Sequence, residues 1–255
     1  MRANPICLVA MVLISTISTL RVAEARQKPD GKPSGESAAA SSGQAISQTA
    51  TPAEIARIAI ARHGGEKFRS LKSVSLLGSA ELYYGSKPAE STVGKFAMVQ
   101  SGERARTDIE TPDLKYREIY DGKKAYGSVS AGAVAPPTKF GLGVLTRFDQ
   151  SGYSVTALPD KKNQRGFRIT DSESNSTDFY ADQTTGRIAE CSFDYNGIKF
   201  LIEYKSFKEV EGVLVPVSFL RKLGLPRVDI FMEFKVKEAK VNQPVADDVF
   251  IIPDR

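Results

Sequence analysis

The sequence predicts an α+β fold that is mainly β, a curved antiparallel sheet of about ten strands with one or two helices covering its concave face. After Leu71, apolar and polar residues alternate along most of the chain, which is typical of half-buried strands. Turn signals such as Asp121-Gly122 and Asn196-Gly197 separate these runs. Only one strongly helical segment is present, so a long apolar sheet face must curve around few helices.

The confident helix begins at Thr51, where a capping residue, Pro52 and Glu54 form the pattern of a capping box. It is predicted to end at His63, immediately before two glycines. His63 is the only histidine of the chain. Its position predicts a stabilising interaction with the negative helix end, in preference to a catalytic role.

The strands are predicted from period-2 patterns in which one face is apolar and the other faces water. The clearest apolar faces are those of Val74, Leu76, Gly78, Ala80 and Leu82; Ile198, Phe200, Ile202 and Tyr204; and Val228, Ile230, Met232, Phe234 and Val236. Cys191 falls on an inward position and is predicted to be a small buried hydrophobe.

The segment from Pro136 to Gln150 interrupts the alternation. Four apolar residues in it share a helical stripe, although Gly141 and Gly143 weaken the helix. This pattern predicts a short helix, or a helical lid over the sheet. The residues of the predicted lid are Phe140, Leu142, Leu145 and Phe148.

The N-terminus predicts export by a cleavable signal peptide, residues 1–25. Arg2 precedes a short apolar run, and Ala23-Glu24-Ala25 is a small-x-small cleavage site. A retained anchor is the less favoured alternative, because the run is shorter than the about 20 residues of a spanning helix. Cys7 precedes most of the run, so lipidation is not expected. Cleavage would remove Cys7 and leave Cys191 without a disulfide partner.

Residues 26–50 are predicted to form a flexible, disordered leader, because the segment holds one large apolar residue, Ile46, and no aromatic residue. The remaining residues, 51–255, are predicted to form one domain, and we expect the protein to be a monomer. The formal net charge is +5. Because the positive and negative residues are interspersed, the pattern favours a solvated sheet face over a nucleic-acid patch, and no nucleic-acid partner is expected.

The sequence predicts a protein that is not an enzyme and that has no cofactor or metal. One histidine and one cysteine of the mature chain supply neither a metal cluster nor a nucleophile–base pair at recognisable spacing. The adjacent pair Asp247-Asp248 is interpreted as part of a turn before the last strand.

Three segments in the last third carry a family resemblance: Asp178 to Ile188, Glu203 to Pro216, and Val241 to Pro253. In order and spacing they resemble the bacterial outer-membrane lipoprotein-sorting family, the LolA/LolB-like proteins. The resemblance implies an unclosed half-barrel, residues 51–255, that holds acyl chains of lipoproteins or lipids in a hydrophobic cavity. It also implies a soluble, unlipidated protein of the periplasm that carries its cargo without catalysis, as a transport chaperone of the cell envelope.

On this resemblance, an apolar cavity and a mobile lid form the site. The implied cavity residues are Phe96, Met98, Phe193, Phe200, Ile202, Tyr204, Met232 and Phe234. Envelope proteins of the inner or outer membrane are the further expected partners. The alternative is an envelope sensor or protein-interaction module with the same fold and no transferable lipid cargo. A half-barrel filled by its own side chains is the third hypothesis.

Overall fold

The structure, a computed structural model, describes residues 45–85, 91–128 and 134–253. All of them belong to one compact unit, Ser42–Arg255. The predicted signal peptide 1–25, with Cys7, and residues 26–44 of the predicted leader lie outside the described residues. Within the described ranges, no helix is long and apolar enough to cross a membrane.

Two helices precede the sheet, and a third, very short helix interrupts it. They are α1 (Pro52–His63), α2 (Glu66–Arg69) and α3 (Leu142–Leu145). The strands are β1 (Ser73–Tyr84), β2 (Thr92–Ser101), β3 (Arg104–Glu110), β4 (Lys115–Tyr120), β5 (Ala125–Gly127), β6 (Ser154–Ala157), β7 (Gln164–Thr170), β8 (Ser176–Asp182), β9 (Ile188–Tyr195), β10 (Ile198–Val210), β11 (Val213–Gly224) and β12 (Asp229–Val241). A 3₁₀ turn, Asp247–Phe250, follows β12, so the turn predicted for Asp247-Asp248 is confirmed. The last strand predicted after it is wrong, because β12 already ends at Val241 and the described residues 251–253 form no strand.

The strands form one antiparallel sheet that is not closed, which confirms the predicted mainly-β half-barrel. Among the described residues there are twelve strands, against about ten predicted, and they lie in the order β5-β4-β3-β2-β1-β12-β11-β10-β9-β8-β7-β6. The first and last strands, β1 and β12, pair with each other in the middle of the sheet. Each remaining neighbour in space is also a neighbour in sequence, so two meanders meet at the β1–β12 ladder.

The curvature of the sheet is shown by an ion pair between strands that are far apart in it. β4 and β11 are separated by five strand steps, which is roughly 24 Å along a flat sheet. Nevertheless, Glu118 of β4 and Arg221 of β11 are in direct contact, with a shortest nitrogen–oxygen distance of 2.7 Å. The face that carries both side chains is therefore the concave interior of the half-barrel.

The helix predicted at 51–63 is confirmed together with its cap. The Thr51 hydroxyl accepts a hydrogen bond from the Glu54 backbone N–H, and the Glu54 carboxylate accepts one from the Thr51 N–H at 2.7 Å. The predicted interaction of His63 with the negative end of the helix is wrong. The side chain is fully buried, and its Nε2 accepts a hydrogen bond from the Ile188 N–H at 3.2 Å. Burial lowers the pKa of His63 to about 4, so the ring is neutral at pH 7 and connects α1 to β9.

The prediction of a flexible leader is wrong for residues 46–50, because they pack against the sheet. Ile46 is buried, and its N–H donates to the Gln183 carbonyl at 2.8 Å. The Arg165 guanidinium donates to the carbonyls of Ser47 and Ala50. The single large apolar residue of the segment is thus enough to attach it, because a buried arginine supplies donors for its backbone.

Candidate ligand-binding cavity

A long connection crosses from one edge of the sheet to the other. β5 ends at Gly127 and β6 begins at Ser154, and these two strands are the opposite edges of the open sheet. The described part of the chain between them packs against the concave face of the half-barrel, where Phe140 contacts Phe193 of β9. Residues 134–153 of this connection are described, and we call them the strap. The segment predicted as a lid, Pro136 to Gln150, lies within the strap.

Apolar side chains attach the strap to the interior. Phe140 stacks on Phe193 of β9, with ring centroids 4.7 Å apart. Leu145 and Phe148 are only 0% and 4% exposed, so they are core residues. The short helix predicted in this segment is confirmed as α3, which covers four residues and does not include Phe140 or Phe148. Gly141 precedes it at φ +58°, and the chain after it continues as turns.

Two ion pairs fix the strap at its polar side. The Arg69 guanidinium of α2 donates to both carboxylate oxygens of Asp149, at 2.9 and 2.8 Å, and to the Thr146 carbonyl at 2.9 Å. Lys139 pairs with Glu173 in the β7–β8 loop at 2.6 Å. The strap is therefore connected to α2 at one point and to the sheet at another.

A cavity of about 680 Å³ lies between the strap, α2 and the concave face. Its volume is in the range of about 300–1,000 Å³ that is typical of small-ligand sites. The lining is mostly apolar, and its polar residues include Arg69, Arg147, Gln100 and Gln150. The main apolar contributors are Leu71, Val74, Leu76, Met98, Ile202 and Phe219.

The cavity occupies only one end of the half-barrel, which we call the mouth end. On β2, Met98 and Gln100 line it, whereas Phe96 does not. On β10, Ile202 and Tyr204 line it, whereas Phe200 does not. The mouth end thus contains the beginning of β1, β3 and β11 and the end of β2, β10 and β12.

The other end of the half-barrel is filled with side chains. Phe96 packs edge-on against Phe234 at 5.0 Å, and Phe234 stacks on Phe219 at 4.7 Å. Phe200 stacks on Phe193 at 4.7 Å. These ring contacts and the burial of Phe96, Phe200 and Phe234 show that side chains occupy this end.

The structure divides the residues that the sequence implied for the site into two groups. Met98, Phe193, Ile202 and Tyr204 line the cavity, together with Phe140 and Leu142 of the strap. Four others lie in the packed half, where they are at most 3% exposed: Phe96, Phe200, Met232 and Phe234. Leu145 and Phe148 are likewise core residues and not part of the lining.

A buried ion pair connects β4 and β11 across the interior, and sequence reasoning missed it. Arg221 donates to both Glu118 oxygens, at 2.7 and 2.9 Å, and the Tyr116 hydroxyl donates to the same carboxylate. The side chains of Glu118 and Arg221 are 7% and 13% exposed. Burial acts to lower the pKa of Arg221, but the Glu118 charge holds it above its ordinary value, so the arginine stays charged. Burial and the same carboxylate raise the pKa of Tyr116, so its hydroxyl keeps its proton.

Cys191 is fully buried, which confirms the inward position predicted for it. Its Sγ lies 3.6 Å from the Tyr204 hydroxyl. Burial raises the pKa of the thiol to about 12, so the reactive thiolate is scarce at pH 7. Among the described residues, no group of three or more His, Cys, Asp or Glu side chains could hold a metal ion.

The geometry defines an open half-barrel with a cavity at one end. Solved structures with similarity to the chain include a LolA superfamily protein from Nitrosomonas europaea, at 12% identity and a TM-score of 0.48, covering 80% of this chain and 99% of that one. A DUF1329 family protein from Desulfovibrio piger is similar at 9% identity and a TM-score of 0.47. The match covers 79% of this chain and 98% of that one. A putative outer-membrane lipoprotein-sorting protein domain from Vibrio parahaemolyticus is similar at 10% identity and a TM-score of 0.44. The match covers 77% of this chain and 94% of that one.

No protein-family model matches the sequence, and no curated protein does.

Proposed function

We propose that the protein is a non-catalytic binding protein of the periplasm that carries an acyl chain of a lipoprotein or lipid. The observation that carries this proposal is the apolar cavity of about 680 Å³ under the strap. A mostly apolar site with several polar groups in its lining suits a ligand that has a hydrocarbon tail and a polar head.

The expected free energy supports an acyl chain as the ligand. Burial of a methylene group contributes about 0.8 kcal/mol, so a chain of 16 carbons would contribute roughly 12 kcal/mol when it is fully buried. Association costs on the order of 4–15 kcal/mol. A long chain can therefore bind well, whereas short chains bind weakly.

The strap supplies the cover of the proposed site. Phe140 and Leu142 line the cavity from above, and they are the lid residues that would contact the ligand. A charge at Leu145 would not test this cover, because Leu145 is fully buried and its replacement by glutamate would disrupt packing.

Native mass spectrometry tests the proposal most directly. The chain from Arg26 onward, which is the predicted mature protein, would be purified from a bacterial periplasm without detergent. We expect an acyl-bearing adduct that organic solvent removes and that rebinds to the extracted protein. A clean protein mass that also fails to take up added palmitate would contradict the proposed function and favour the filled half-barrel or the protein-interaction module.

A charge inside the cavity is expected to abolish binding. Met98→Glu places a carboxylate among apolar lining residues, where burial of the charge under a ligand costs about 3 kcal/mol or more. The Kd for palmitate should rise about 100-fold or more. Isothermal titration calorimetry measures this change.

Val93→Glu is the matched control for Met98→Glu. Val93 lies on the same strand, β2, but on the opposite face, and it is 58% exposed. This variant should bind palmitate like the original protein. Equal Kd values for the two variants would show that palmitate binds elsewhere.

A further inference from the structure

We propose that the buried Glu118–Arg221 ion pair is a stop that sets the greatest length of acyl chain the cavity can hold. The inference rests on the proposed function and adds to it the chain-length class of the ligand. The ion pair spans the interior from β4 to β11, and it would meet the end of a chain that enters from the mouth.

Glu118 and Arg221 do not line the cavity themselves, but strand register places each of them beside a residue that does. On one wall, Glu118 lies directly opposite Thr107 of β3, which lines the cavity, whereas the next inward residue, Ile109, does not. On the other wall, Arg221 lies opposite Ile202 of β10. Ile202 lines the cavity, and the next inward residue on its strand, Phe200, does not.

The ion pair is also a rigid barrier. An apolar side chain can change rotamer to admit a ligand, but the Arg221 guanidinium is held by the two hydrogen bonds that it donates to Glu118, and it packs 5.5 Å above the Phe200 ring. To move it aside would leave a buried charge without its partner, which is strongly unfavourable. Methylene groups beyond this point therefore have to remain outside the apolar site.

The stop has a measurable signature in a series of saturated fatty acids. Each additional buried methylene should tighten binding about fourfold, from its contribution of about 0.8 kcal/mol. Once the chain end reaches the ion pair, further methylenes should leave the Kd unchanged. A plot of log Kd against chain length from about eight to about eighteen carbons should then show a break, followed by a plateau.

Removal of the ion pair should move the break to longer chains. The variant Tyr116→Phe, Glu118→Leu, Arg221→Leu replaces all three polar groups by apolar ones, so it leaves neither a buried charge nor a buried hydroxyl without a partner. We expect its break to lie at least two carbons beyond that of the original protein, and chains longer than the original break to bind at least about tenfold tighter to it.

The matched control removes an ion pair of similar geometry from the outer face. Arg168 and Asp178 pair across β7 and β8, with side chains 44% and 24% exposed. Arg168→Leu with Asp178→Leu should leave the break where it is. If the break stays unchanged when Tyr116, Glu118 and Arg221 are all replaced, the stop is overturned and the proposed function stands. If no fatty acid binds to the original protein, both are overturned.

A second measurement needs no variant and covers the case in which the apolar variant fails to fold. A palmitate with a photoreactive diazirine at its methyl end is bound to the original protein, and the labelled residues are identified by mass spectrometry. Labels at Thr107, Glu118 or Ile202 are the expected result. Labels at Phe96 or Phe200, which lie beyond the ion pair, would overturn the stop.

Discussion

Replacement of Arg221 by methionine is expected to lower the free energy of unfolding by about 3–5 kcal/mol. The Glu118 side chain is only 7% exposed, so the variant leaves its carboxylate buried without a positive partner. The hydrogen bond from the Tyr116 hydroxyl remains. An uncompensated charge in an apolar interior is among the few changes that produce a loss of this size. The loss also reflects the position of the pair, since it connects strands five steps apart in the sheet.

Urea denaturation at pH 7 measures this loss. Two controls separate the buried charge from the loss of packing. Lys205→Met removes a partner of Glu233 from a pair whose side chains are 47% and 31% exposed, so it should cost less than about 1 kcal/mol. The apolar variant Tyr116→Phe, Glu118→Leu, Arg221→Leu should be more stable than Arg221→Met alone, because it leaves no unpaired charge. A loss below about 1 kcal/mol for Arg221→Met would contradict the assignment.

The strands could be predicted from the sequence because alternation reports directly which side chains face inward. Leu76, Ala80 and Leu82 are buried on β1, as their period-2 spacing predicts, whereas Leu77 between them is 42% exposed. The turns at Asp121-Gly122 and Asn196-Gly197 also lie where predicted. These features depend on neighbours in sequence, so local chemistry decides them.

The division of the concave face could not be predicted in the same way. Phe96 and Met98 are two residues apart on one strand and point to the same side, yet Phe96 is core and Met98 lines the cavity. The difference depends on which side chains arrive from other strands, since Phe234 fills the space beside Phe96. Alternation identifies the face but not what covers each part of it.

The ion pair has a signal in the sequence, although an incomplete one. Glu118 lies two residues after Tyr116 on β4, and Arg221 lies between Phe219 and Leu223 in the period of β11. A charge at an inward position of one strand predicts a partner of opposite charge at an inward position of another. The partner could not be identified, because β4 and β11 face each other only after β1 pairs with β12.

Acidification from pH 7 to pH 5 is expected to lower the free energy of unfolding by about 2 kcal/mol through His63 alone. Burial lowers its pKa to about 4, from an ordinary value of 6.5. The unfolded chain therefore binds a proton between these two values while the folded protein does not. Stability from this source is complete above pH 6.5 and is lost as the pH falls towards 4, where the total loss reaches about 3 kcal/mol.

The surroundings of His63 account for its neutral form. Phe68 and Phe207 pack against the ring, with centroids 5.4 and 5.1 Å away. The positive charge of Arg187 also disfavours protonation, while the Leu214 backbone acts in the opposite direction. A protonated ring could no longer accept the hydrogen bond from Ile188 at Nε2.

Urea denaturation at a series of pH values from 7 to 5, with His63→Gln as the control, measures this effect. The glutamine amide cannot be protonated in this range, while its carbonyl can still accept a hydrogen bond. The variant should therefore lose the His63 part of the pH dependence, and its stability should change less than that of the original protein between pH 7 and 5. Carboxylates titrate mainly below this range, so they do not account for the difference. Parallel curves for the two proteins would show that the pKa of His63 is the same in the folded and the unfolded chain, which would contradict the neutral, buried form described above.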